Sequence, residues 1–141
     1  MTKHLIKFIL CCVFSFSVTT SFADTASLSK ALTPKVSVTG QMTTDKFKNL
    51  MRKGFKSVIV NRPDQETGNL TTANELREIA EQAHVSLIYQ PVISGQITET
   101  DAEEFAKYYN SLPKPILLVC KSGARSTVLF NQAKSLGLLN E

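Results

Sequence analysis

Cys120 and Arg125 stand with four residues between them, where the apolar run Ile116-Leu117-Leu118-Val119 gives way to a helical stretch. Together with Lys121, Ser122, Gly123, Ala124 and Ser126 they could form an anion cradle with a nucleophile at its floor. A helix start presents unpaired backbone N–H groups and a partial positive charge. A short loop leading into it can turn those amides inward around an anion. Gly123 allows the backbone conformation such a turn needs. The planar fork of Arg125 can grip two oxygens of a phosphate- or sulfate-like group. The same field favours the thiolate form of Cys120. Ser126 is expected either to cap the helix through its hydroxyl or to hydrogen-bond the sulfur, and Lys121 to stand at the loop rim. No acidic residue between Ile116 and Asn140 opposes this field. The plainer alternative is a buried, inert cysteine, but its neighbours argue for a functional thiol.

Such a loop needs a scaffold that points it in one direction. Val36-Ser37-Val38 is a short strand candidate. Thr43-Thr44-Asp45 caps a helix carrying Phe47, Leu50 and Met51 and ended by Gly54. Phe55 to Val60 is a strand stopped by Asn61-Arg62-Pro63-Asp64. Thr71-Thr72 opens a second helix, with Leu76, Ile79, Ala80 and Ala83 on one face. Val85 to Tyr89 is a strand broken by Pro91 and Gly95. Thr98 to Asp101 opens a third helix with Ala102, Phe105, Ala106 and Tyr109 inward. Pro113-Lys114-Pro115 forces an extended lead into the strand before Cys120. Strands alternating with helices predict an α/β fold of three layers, a small, mostly parallel sheet with flanking helices. Ligands of open α/β sheets bind at the carboxyl ends of the strands. Asn61 to Asp64, Pro91 to Gln96 and Cys120 to Ser126 should therefore converge at one end.

The rest of the chain bounds where this chemistry takes place. Lys3, His4 and Lys7, the apolar run Phe8 to Val18 and the small residues Ser21 and Ala23 form a secretory signal pattern with cleavage before Asp24. The expected organisation is a signal peptide at 1–23, a flexible leader at 24–35 and one domain at 36–141, with no membrane association after cleavage. The net charge of +4 loses Lys3 and Lys7 with the signal and comes with no long basic run, so nucleic acid is not an expected partner. Cys11 and Cys12 also leave, making Cys120 the sole remaining cysteine. With His84 as the one remaining histidine, soft ligands are too few for a metal site, and no cofactor is expected.

Cys120-Lys121-Ser122-Gly123-Ala124-Arg125-Ser126 resembles the Cys-x-x-Gly-x-Arg-Ser signature of the beta-lactamase hydrolase-like, phosphatase-like domain family (DUF442). Val38-Thr39-Gly40-Gln41, Phe55 through Asp64 and Pro91 through Thr98 resemble other characteristic stretches of that family, so the likeness spans roughly residues 36 to 136. The resemblance implies a (phosphotyrosine phosphatase)-like fold with the cysteine as nucleophile. It also implies a bacterial periplasmic setting, a likeness to rhodaneses in loop length, and a sulfide-oxidation enzyme as a partner. The family pattern continues for one further helical segment where this sequence stops at Glu141.

The loop is one residue shorter than that of tyrosine phosphatases. A tighter ring suits a persulfide sulfur at its centre, so the favoured reaction is sulfane-sulfur transfer through Cys120 from a small anionic or persulfide substrate. The alternatives are phosphate-ester hydrolysis through a thiophosphate intermediate and non-catalytic anion binding. Ester cleavage needs a proton donor for the leaving oxygen. Pro91 to Gln96 contains no acid, leaving Asp64 as the candidate general acid and Asp101 behind it. Each also has a structural explanation, Asp64 as a turn residue and Asp101 as a helix-start acid. Arg62 is expected to add charge to the strand ends or to pair with Asp64 or Glu66.

Overall fold

The computed structural model describes residues 27–141, so the signal pattern lies outside the described residues. Nine elements follow one another: β1 (Lys30–Thr33), β2 (Val36–Thr39), α1 (Thr44–Met51), β3 (Ser57–Val60), α2 (Ala73–Gln82), β4 (Ser86–Tyr89), α3 (Glu99–Ser111), β5 (Ile116–Val119) and α4 (Ala124–Ser135). They build one five-stranded sheet in the order β1-β2-β5-β3-β4. Every neighbouring pair is parallel except β1 with β2. The α/β, three-layer, mostly parallel expectation is met.

The layers follow from strand alternation. In β5, at the centre, successive side chains point to opposite faces. Ile116 and Leu118 join Phe105, Tyr109, Leu129 and Phe130 in a core beneath α3 and α4. Leu117 and Val119 join Phe47, Leu50, Leu76 and Ala80 in a core beneath α1 and α2. A strand buried on both faces reads as an unbroken apolar run, and all four β5 residues are buried.

Three threonines start three helices. Thr43, Thr72 and Thr98 each accept from the third amide of α1, α2 and α3, and Glu75 and Asp101 complete capping boxes at the last two. Strand β1 corrects the expected leader. Within 24–35, Lys30 pairs antiparallel with Val38. The hydroxyl of Thr39 donates to the Leu28 carbonyl at 2.7 Å, and Leu28 packs on the core under α1 and α2. The segment is held because β2 would otherwise be an unpaired sheet edge. Among the described residues, no helix is long and apolar enough to cross a membrane.

Candidate active site

Cys120 follows directly on β5. Its amide donates to the Thr39 carbonyl at 3.2 Å, and the Asn61 amide donates to the Val119 carbonyl at 2.7 Å. Parallel neighbours on both sides therefore fix the end of the strand, and the sulfur is aimed by the most central part of the sheet. The loop then turns at Gly123, whose φ of 89° is left-handed. That turn brings the Gly123 amide to 3.0 Å from Sγ and starts α4 at Ala124.

The thiol is pulled two ways. Burial, which leaves Cys120 1 % exposed, pushes it up. Hydrogen bonds from the Ser126 amide and hydroxyl and from the amides of Ser122 and Gly123 pull it down, and together they hold it below the ordinary thiol range. The Gly123 amide, 3.0 Å from the sulfur, is the closest of these donors, and their combined direction favours the thiolate.

Ser126 departs from the expected cap. Gly123 occupies the N-cap position with no side-chain capping bond, and the Ser126 hydroxyl donates to Asn61 Oδ1 at 2.8 Å. Asn61 is fully buried and in turn donates from Nδ2 to the Gln90 carbonyl at 3.1 Å. Asn61 thus ties the ends of β3 and β4 to α4. Because a serine hydroxyl carries one hydrogen, it serves Asn61 beside a neutral thiol and can turn toward a thiolate.

Arg125 is 7 % exposed and held on two sides. Nη1 donates to the Val92 carbonyl at 3.1 Å. Glu66 receives Nη2 on Oε1 at 3.0 Å and Nη1 on Oε2 at 2.9 Å. Nε is buried with no partner among the described residues. Arg62, 3 % exposed, takes the same Glu66 through Nε at 3.1 Å. It also donates to Gln41 Oε1 and to the Thr67 carbonyl. The Arg125 hydrogen bond, partly opposed by burial and reinforced by the charge of both arginines, holds the Glu66 carboxyl below the ordinary range. One carboxylate between two buried guanidiniums leaves the cluster with a net positive charge.

Gly40 and Gln41 brace the loop from β2. Gly40 bridges Ser122, and the Gln41 amide donates to the Lys121 carbonyl at 2.8 Å. A Cβ on Gly40 would lie 2.9 Å from that carbonyl and 3.0 Å from Ser122 Cα, so only glycine allows this approach.

The three strand-end segments meet as expected: Asn61 reaches Ser126, Arg125 reaches Val92, and the 61–69 loop reaches Arg125 through Glu66. Lys121, Ser122 and Ala124 are exposed along the loop rim. Both candidate acids are engaged by backbone amides. Asp64 Oδ1 accepts from the Ala73 amide at 2.7 Å, fastening the loop to the start of α2. It makes no hydrogen bond or ion pair with Cys120 or Arg125. Asp101 spends Oδ2 on the Thr98 amide at 2.8 Å. Glu66, which sequence reasoning weighed only as a partner for Arg62, is the acid that touches the arginine of the loop. Its spacing four residues after Arg62 was the available signal. Among the described residues, no group of three or more potential metal ligands gathers.

The family model for the beta-lactamase hydrolase-like protein, phosphatase-like domain, matches residues 29–137. The beta-lactamase hydrolase-like protein of Xylella fastidiosa (strain Temecula1 / ATCC 700964) is 33% identical over 96 residues, 68% of this chain and 22% of that protein. The chain thus spans less than a quarter of that relative's length. A crystal structure of a phosphatase candidate from Neisseria meningitidis Z2491 superposes with a TM-score of 0.66 at 27% identity, covering 72% of each chain. The core catalytic domain of the PP-IP phosphatase Siw14 from S. cerevisiae superposes with a TM-score of 0.60 at 16% identity, covering 79% of this chain and 67% of that one. At that identity the likeness concerns the fold, which matches the expected phosphatase type.

Proposed function

The chain belongs to the beta-lactamase hydrolase-like, phosphatase-like domain family, and from that premise we propose that it is a cysteine-dependent, phosphatase-like enzyme acting on phosphate esters with good leaving groups. The observation that carries this reading is the buried thiol of Cys120 with the Gly123 amide 3.0 Å from its sulfur, followed by a buried arginine with an unpartnered Nε. Loop amides and Arg125 hold the phosphoryl oxygens and gain most as charge builds on them. Sγ attacks phosphorus, forming the S–P bond while the P–O bond breaks and the leaving oxygen departs with its electron pair. Water then attacks phosphorus, the S–P pair returns to Sγ, and the water proton passes to solvent.

The preference for good leaving groups follows from the acids. Oxygen atoms of Asp64 and Asp101 are bonded to backbone amides, and Glu66 is ionised between two arginines. A leaving group that departs unprotonated needs none of them. The test is hydrolysis of aryl phosphates of graded leaving-group basicity. The rate should fall steeply as basicity rises and vanish in Cys120→Ser. A flat dependence would reject the reading.

The short loop favours a second reading, sulfane transfer. Here Sγ attacks the outer sulfur of thiosulfate, the S–S bond breaks, and sulfite leaves with the electron pair. Gain of one sulfur in the intact mass, removed by cyanide and absent in Cys120→Ser, would support it. No adduct on a thiol shown to alkylate would reject it. Under this reading a sulfide-oxidation enzyme would be the natural partner. The pattern in residues 1–23 supports export, in a bacterium to the periplasm, and N-terminal sequencing of the exported protein should begin at Asp24.

A further inference from the structure

We propose that the anion is carried into the cradle on a small apolar group, and that this group occupies the cleft between the β4–α3 loop and the first turns of α4. The inference rests on the anion-binding reading above and names the body of the substrate. The cleft measures about 290 Å³ and is lined by Ser94, Gly95, Ile97, Ala124, Arg125, Val128 and Gln132. Arg125 is its only charged residue and also belongs to the cradle, so a group lodged there is continuous with an anion held by Arg125. The other side chains offer aliphatic surface and two uncharged polar groups. They provide nothing to pair with a second charge.

The mouth is unusually apolar for solvent-facing surface. Val128, which lines the cleft, is 53 % exposed, and Ile93, next in the chain to the lining residue Ser94, is 58 % exposed. Isolated exposed apolar residues are common, but here Val128 shares a cavity with Ile97 and the buried Arg125. The volume suits one ring or a short branched chain, well below that of a typical drug-sized ligand site. A larger groove on the other side of the loop, about 670 Å³, carries Lys30 and Lys46 and no acid. It offers charge where this cleft offers apolar contact.

The test is direct binding of two non-hydrolysable anions, phenylphosphonate and methylphosphonate, to the reduced full chain by titration calorimetry. Burying one ring should make phenylphosphonate bind about tenfold more tightly. Ile97→Ala should reduce that ratio to about twofold, and Lys30→Ala in the other groove should leave it unchanged. Equal binding of the two phosphonates would overturn the inference and leave the anion site standing. A ratio that survives Ile97→Ala and falls in Lys30→Ala would also overturn it, by placing the ring in the larger groove. Binding of neither compound would remove the anion-site reading and this inference with it.

Discussion

Replacing Ser126 with alanine separates the two jobs of its hydroxyl. In the neutral site the hydroxyl donates to Asn61 Oδ1 at 2.8 Å, and its loss leaves a fully buried acceptor unpaired, at a cost of about 1–3 kcal/mol. Beside a thiolate it is one of four donors that hold the thiol below its ordinary value. A hydrogen bond to an ion contributes about 1.5–3 kcal/mol, and one pKa unit corresponds to about 1.4 kcal/mol. Because the one hydroxyl hydrogen leaves Asn61 Oδ1 to reach the sulfur, only the surplus of the second bond over the first counts, and Ser126→Ala should raise the Cys120 midpoint by about half a unit, the three amides remaining in place. The assay is the pH dependence of iodoacetamide alkylation at the Cys120 peptide, with urea unfolding measured alongside. The sign also fixes a stability trend. A thiol depressed in the folded state contributes stability above its unfolded value and loses it as pH falls through the folded one. Between those two values the wild type should gain stability with rising pH over a wider window than Ser126→Ala. Ser126→Thr, which keeps the hydroxyl, should retain the wild-type midpoint. If Ser126→Ala loses stability while its midpoint stays put, the hydroxyl serves Asn61 alone and the argument for four donors fails.

Glu66→Gln should lower stability at neutral pH by about 1–2 kcal/mol, because two buried arginines lose their shared charge on a partly exposed carboxylate. The depressed Glu66 carboxyl contributes stability above its unfolded value of about 4.3 and loses it as pH falls through the lower folded value, so the variant's urea midpoint should change less across that acid range. Gly40→Ala should shift the cysteine loop, costing about 1–3 kcal/mol, and phosphonate titration should show weaker binding. Asp64→Asn should lower thermal stability by about 1 kcal/mol through a weakened helix start and leave the pH–rate profile unchanged; loss of an alkaline limb, where a proton donor would deprotonate, would restore Asp64 as that donor. His84, at φ 57° after α2, should gain up to about 1 kcal/mol on change to glycine, read as a higher urea midpoint.

The helix starts were legible because each has a local cause. A threonine hydroxyl and a carboxylate three residues on are sufficient at Thr72 and Thr98, whatever the rest of the chain does. The convergence of three strand ends was legible from alternation of strand and helix. The lines that needed three dimensions were missed. Lys30 to Thr33 has little intrinsic strand character and becomes β1 because β2 offers an open edge 36 to 39 along the chain. Ser126 looks like a cap beside a helix start. Its actual partner, Asn61, lies 65 residues away, and no local pattern announces that distance. Glu66 sits in a polar loop without periodicity, so its position over Arg125 is a consequence of how the 61–69 loop folds back. Asp64 carries the right chemistry for an acid, and its backbone partner at Ala73 becomes visible only once the turn is drawn.

The position of Cys120 at the end of a strand flanked on both sides also sets an order of unfolding. Hydrogen exchange at the Cys120 and Asn61 amides, which close the ladder beyond β5 and β3, should require opening of the whole sheet. The nucleophile therefore belongs to the last part of the molecule to loosen. Variation in the loops at 61–69 and 91–97 can reshape what enters the cradle while the sulfur keeps its aim.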